Sequence, residues 1–120
     1  MKRIYLATPY SHPDARVRHW RFEAVNEFAA KLMMLGYTVF SPISQSHPIA
    51  EHLGPDTENW DFWSQQDLPW LERCDAVYVL TLDGWDMSVG VAGEIEHADR
   101  HNIPVHFIDP EEHGIDNVKC

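Results

Sequence analysis

A chain of 120 residues has room for one domain and little more, and with 44% hydrophobic and 23% charged residues its composition is that of an ordinary globular protein. No apolar run is long enough to cross a bilayer as a helix, so no membrane partner is expected. The formal net charge of −10 repels phosphate backbones and argues against a nucleic-acid polymer as partner, while still allowing a small anion held by local backbone N–H groups.

The first predicted element is a buried strand from Arg3 to Ala7, too short and too weakly apolar for a signal peptide. Thr8 to Pro13 breaks it with two prolines, and Asp14 then stands where a helix N-cap belongs. Val17, Trp20, Ala24, Phe28, Leu32 and Leu35 recur in steps of three and four, which predicts one long helix stopped by Gly36 at C′. Thr38 to Ser41 is a second strand closed by Pro42. Ile43 to Thr57, rich in Ser, His, Pro and Gly, is expected to be a long irregular loop of functional use. Glu58 to Gln66 reads as helix with Trp60 and either Trp63 or Phe62 inward, and Asp67-Leu68-Pro69 opens a second helical piece. Ala76 to Leu80 is a buried strand. A loop with Gly84 and Gly90 leads to a helix from about Val91 to His101, with Asn102 at its end. Val105 to Ile108 is a last strand before a polar tail.

Strands alternating with helices predict an α/β fold, a single domain over residues 1–120 with a parallel sheet covered on both faces. Ligands of such sheets bind beyond the carboxyl ends of the strands. Those ends here are Ala7 to Ser11, Ser41 to Gln45 and Leu82 to Ser88, so three loops converge on one crevice.

Ser88-Val89-Gly90-Val91-Ala92-Gly93-Glu94 joins a buried strand to a helix. Its glycines admit close approach of a ligand, and the helix start with the Ser88 hydroxyl suits an anion. Glu94 either complements the helix dipole or lines the crevice. Asp67 is either an N-cap or the second of two carboxylates facing each other. Such a pair is what glycosidic cleavage needs, one attacking the anomeric carbon and one handling the leaving group's proton. Tyr5 is either core or a hydroxyl orienting Glu94. Arg16, Arg18 and Arg21 hold three of nine basic residues at a helix start, where positive charge opposes the dipole; they bind an anion or pair with Asp14, Glu23 or Glu27. His47 and His52 lack a third ligand at zinc spacing apart from Asp56 or Asp61. No metal is therefore expected, and His47 reads as a pocket residue donating to substrate. Trp60, Trp63 and Trp70 fit helical core spacing; Trp85 stacks on a base, lids the core or meets a second subunit. Cys74 and Cys120 make no disulfide framework, which points to the cytoplasm.

Taken together, Ile4-Tyr5-Leu6-Ala7, Asp67-Leu68-Pro69-Trp70-Leu71-Glu72-Arg73-Cys74-Asp75 and Ser88 to Glu94 resemble the nucleoside 2-deoxyribosyltransferase-like superfamily. Tyr5 to His12 and Ser41 to Pro48 resemble the signatures of one bacterial branch of it, DUF1937. The resemblance implies a flavodoxin-like three-layer sandwich, no cofactor, and assembly as a homodimer or homotetramer. It implies Glu94 as nucleophile, Asp67 as the group assisting departure of the base, and Tyr5 as the residue that positions Glu94. Ala7, Pro9, Tyr10, Arg16, Arg21, Ser41, His47, Ser88 and Gly90 are the implied substrate contacts. Ser88 stands where transferases acting on free nucleosides carry an acidic residue, which tilts the expected substrate from a nucleoside toward a nucleoside 5′-monophosphate. The Pro9 to Pro13 loop departs from the Gly-rich, arginine-bearing loop of the phosphate-binding members. An NAD-cleaving glycohydrolase and a nucleotide-binding module without turnover are the competing readings.

Overall fold

The computed structural model describes residues 2–120. Four strands, β1 (Arg3–Ala7), β2 (Thr38–Phe40), β3 (Ala76–Leu80) and β4 (Val105–Ile108), form one sheet in the order β2-β1-β3-β4. Every pairing is parallel, with Tyr5 beside Phe40 on one side and Val77 on the other. The order reverses between β1 and β3, as it does in flavodoxin-like sheets, and the carboxyl ends of those two strands therefore flank the switch point.

Alternation of side chains splits the core in two. Ile4 and Leu6 of β1, with Ala76 and Leu80 of β3, face α1 (Ala15–Met34) and its Ala24, Val25, Phe28, Ala29 and Leu32. Tyr5, Ala7, Val77 and Val79 face the other way, against Leu71 of α3 (Trp60–Leu71) and Val91 and Ala98 of α4 (Val89–Arg100). The result is the flavodoxin-like three-layer sandwich expected from the sequence. Among the described residues no helix is long and apolar enough to cross a membrane.

Asp14 caps α1 by accepting from the Arg16 N–H at 2.9 Å, and Gly36 follows the helix with φ +96°, a left-handed conformation that a Cβ would oppose. The buried stripe of α1 differs from the expected one. It runs through Val17, Arg21, Ala24, Val25, Phe28, Ala29 and Leu32, while Trp20 and Leu35 are 44% and 74% exposed. Steps of four put Arg21 and Val25 on the same face as Val17, and the sheet takes that face.

Two other expectations are corrected. Pro42–Ala50 is a helix, α2, rather than the start of a long loop; the irregular stretch shrinks to the residues after it, with one short 3-10 turn at Pro55–Thr57. Pro42 sits in the first turn, where its missing N–H is no loss, and Pro48 comes so late that the helix ends two residues on. The stretch Trp60–Leu71 likewise makes one helix instead of two pieces. Asn59 caps it by accepting from the Phe62 N–H at 2.8 Å, and Pro69 again falls just before the end. Asp67 is therefore a mid-helix residue and not an N-cap. The tail is not wholly polar, since Ile115 is buried in the α1-side core.

Candidate active site

Strand alternation decides where Tyr5 points: toward α3 and α4, at the centre of the sheet. α4 starts at Val89, two residues earlier than expected, with Ser88 as N-cap accepting from the Val91 N–H at 3.2 Å. That start places Glu94 in the second turn, on the buried face three residues beyond Val91, rather than at the helix start where it would only meet the dipole. The Tyr5 hydroxyl donates to Oε2 of Glu94. Asp67 comes in from α3, close enough that its charge acts on both Glu94 and Tyr5. The structure thus brings Tyr5, Asp67 and Glu94 together from three elements far apart in sequence.

All three are enclosed, at 0%, 9% and 5% exposure respectively, where the sequence had pointed to an open crevice. A groove of about 570 Å³ lies elsewhere, on α1 and the tail between Trp20, Glu23, Glu27 and Asp116. Enclosure controls the electrostatics. Burial raises the Glu94 carboxyl to about 8, with Asp67 adding to the rise and the Tyr5 hydrogen bond opposing it. Burial alone raises Asp67 to about 6. Tyr5 is pushed well up, by burial first and then by the two carboxylates. With Asp67 at about 6 and Glu94 at about 8, the two carboxyls hold one proton between them around neutral pH, mostly on Glu94. One group can then donate a proton while the other carries charge.

The surroundings contain residues that the sequence placed elsewhere or passed over. Trp60, placed in the core by its helical period, lies half-buried across the start of α4: an added Cβ on Gly93 would stand 2.5 Å from its ring, and one on Gly90 would stand 3.7 Å away. Phe40 packs on Tyr5 with ring centroids 5.7 Å apart and stacks on Trp70, which is 59% exposed and not the core residue its spacing predicted. Trp85 is half-buried against Phe107, 5.3 Å between centroids. The Thr8 hydroxyl, at the carboxyl end of β1, is buried without a hydrogen-bond partner, the one such side-chain atom among the described residues. Its signal in the sequence was only that of a hydroxyl beside Pro9.

The other expected contacts fall into separate groups. Ala7 and Pro9 are buried at the end of β1. Tyr10 and His47 form their own pair, Oη to Nδ1 at 2.6 Å, with His47 stacked on Phe22 at 4.1 Å. Burial, the larger cause, together with the neighbouring His19 lowers the His47 pKa. Ser41 and Ser44 share a hydrogen bond of 2.7 Å, and Ser44 donates on to Asn26. Neither arginine proposed for an anion is brought to Glu94 by a contact. Arg16 is exposed and bidentate to Asp14, with the shorter N···O distance 3.0 Å. Arg21 is buried and donates to the carbonyls of Ser11 and Asp83, both at 3.0 Å, because the buried stripe of α1 turns its guanidinium inward under two loops.

Known proteins give this geometry a context. A family model described as "Domain of unknown function (DUF1937)" matches residues 2–109. No curated protein matches the sequence. Among solved structures, the 2-deoxyribosyltransferase of the psychrotolerant bacterium Bacillus psychrosaccharolyticus resembles the chain over 98% of its length and 85% of the transferase's, with a TM-score of 0.56 and 22% identity. An identity that low speaks for the fold. With the match spanning nearly the whole sheet and both helical layers, the chain belongs to the DUF1937 family and has a nucleoside 2-deoxyribosyltransferase-like fold.

Proposed function

We propose that the protein cleaves the N-glycosidic bond of a nucleoside or nucleoside 5′-monophosphate through Glu94. The observation that supports this reading is the buried trio itself: two carboxyl groups enclosed together, one of them hydrogen-bonded by the Tyr5 hydroxyl. In the proposed reaction a Glu94 oxygen bonds to C1′ while the bond from C1′ to the base breaks. The base nitrogen keeps that electron pair and takes the proton from Asp67. Water or a second base then attacks C1′, Glu94 leaves, and Asp67 takes up the attacker's proton. Tyr5 holds Glu94 in place and favours its ionised form. The unpartnered Thr8 hydroxyl is suited to a sugar hydroxyl, and Ser88 with the start of α4 to a 5′-phosphate. No cofactor enters the scheme.

Glu94→Gln is expected to lower release of free base from nucleosides and 5′-monophosphates by at least ~10³-fold with the fold intact, as measured by chromatography of the liberated base. Unchanged release would remove Glu94 from the chemistry. One observation favours the competing reading of a binding module without turnover: the trio is enclosed, so substrate reaches Glu94 only if the residues around it move. Ligand binding with no base release from any nucleoside, nucleotide or NAD would decide for that module. Assembly as a homodimer or homotetramer belongs to the same proposal, and light scattering of the purified chain tests it.

A further inference from the structure

A second cluster, independent of the proposed reaction, lies further along the seam between α3 and α4. Glu72 follows the last turn of α3, His97 stands on α4, and His101 caps the end of α4 one turn further on. Nε2 of His97 is 2.8 Å from Oε2 of Glu72, and Nε2 of His101 is 3.9 Å from Oε1. One ligand atom from each residue lies within 4.8 Å of the others. We propose that these three side chains form a binding site for a divalent transition-metal ion of the zinc class.

The donor set selects the metal. Two imidazoles and one carboxylate suit zinc and its neighbours, whereas magnesium and calcium want oxygen ligands throughout. Zinc bonds of roughly 2.0–2.2 Å in a tetrahedron put donor atoms about 3.3 Å apart. The 2.8 Å and 3.9 Å separations bracket that spacing and the third is within 4.8 Å, so side-chain shifts of roughly 1–2 Å close the site. The imidazoles are also prepared for it. Nδ1 of His101 lies 2.9 Å from the His97 carbonyl; as an N–H donor there it leaves the Nε2 lone pair toward Glu72. The His rings stand together with centroids 4.3 Å apart. Among the described residues the two imidazoles are the only basic side chains within ion-pair distance of Glu72, and Arg100 is taken by Glu96. An ion would therefore replace a proton between His97 and Glu72 without displacing a lysine or arginine. Its fourth position faces solvent, since Glu72 and His101 are both exposed.

The bound ion would tie the end of α3 to the second half of α4. Asp67 lies five residues before Glu72, and Glu94 three before His97, so the site clamps the two helices that carry the buried carboxyls.

Calorimetric titration of the chelator-treated full chain with Zn²⁺ tests this. One Zn²⁺ per chain is expected, with a raised melting temperature. His97→Ala and His101→Ala should each weaken binding at least ~10-fold. The double variant should lose both the binding and the thermal shift, while His52→Ala, far along the chain on an exposed residue, keeps both. Circular dichroism of the variants, whose changes lie at or near the surface, checks that they fold. No Zn²⁺ binding by the wild type, or binding undiminished in the folded double variant, overturns the proposal.

Discussion

Glu94 is held between two opposing effects, burial against its charge and the Tyr5 hydroxyl for it, and burial wins. If Glu94 must be ionised and Asp67 protonated to react, the shared proton mostly sits on the wrong carboxyl, and only a minor form of the pair is reactive. The rate profile should then be bell-shaped, with limbs near 6 and 8, the values of the pair. Tyr5→Phe removes the one contact that favours ionised Glu94. Its alkaline limb should move up, and its plateau should fall about tenfold for each unit by which Glu94 rises, as read from kcat/KM against pH. A lower plateau with unmoved limbs would make Tyr5 a packing residue only. Stability carries the same signature. A carboxyl raised in the folded state binds more protons there than in the unfolded chain. Its stabilisation is therefore complete below its ordinary range and is lost as pH rises toward 8. Glu94→Gln cannot lose it, and its amide oxygen still accepts from Tyr5. Relative to wild type, the variant should gain on the order of 2–4 kcal/mol between about pH 4 and pH 9 in urea unfolding. An equal difference at both pH values would mean that Glu94 is not shifted.

At the scale of elements, the contact between α3 and α4 depends on what α4 leaves out. Gly93 sits inside a helix, where glycine costs roughly 1 kcal/mol against alanine, and the space its Cβ would fill is taken by the Trp60 ring at 2.5 Å. Gly93→Ala gains that propensity and loses about 1–3 kcal/mol to overpacking, so a net loss near 1 kcal/mol is expected in chemical denaturation. A stabilised variant would show that the indole swings away freely. No pattern of apolar period reveals this pairing, because Trp60 and Gly93 are joined only by tertiary packing. The strands were legible, because each is a short apolar run bounded by turn residues, and so was α1, whose cap and stop are both in its sequence. α2 was not legible: two prolines read as breakers, although Pro42 and Pro48 stand where a short helix tolerates them. The trio was half legible. Spacing delivers Tyr5 to one strand and Glu94 to one helix, but only the face each presents makes them partners. The pair His97 and His101, one helical turn apart, was visible in the sequence. Glu72, which completes the cluster, was not, because it arrives from another helix.

Across the whole molecule, one arginine holds together segments that the sheet itself does not join. Arg21 on α1 reaches the carbonyl of Ser11, before the helix, and that of Asp83, after β3, both at 3.0 Å, and its second guanidinium nitrogen is 3.5 Å from Sγ of Cys120. Asp83 in turn accepts from the Cys120 N–H at 2.9 Å, and its own N–H donates to Asn117 at 2.7 Å. The loops at the carboxyl ends of β1 and β3, which flank the switch point and carry Thr8 and the approach to Ser88, are thus tied to each other and to the tail through one planar cation. In a chain with ten more acidic than basic residues, a buried arginine bonded to carbonyls suits a fixed geometric task, since its fork reaches two acceptors at once. Arg21→Met keeps the apolar packing of the stem and takes the donor from two part-buried carbonyls, a loss of about 1–3 kcal/mol. Arg21→Lys retains the charge but not the fork, and should recover less than half of it. If the arginine instead served mainly to hold a ligand phosphate, both variants would unfold at wild-type denaturant concentrations and differ only in affinity for 5′-monophosphates. Urea midpoints measured beside those affinities separate the two tasks, and the contacts at Ser11 and Asp83 predict that the midpoints move first.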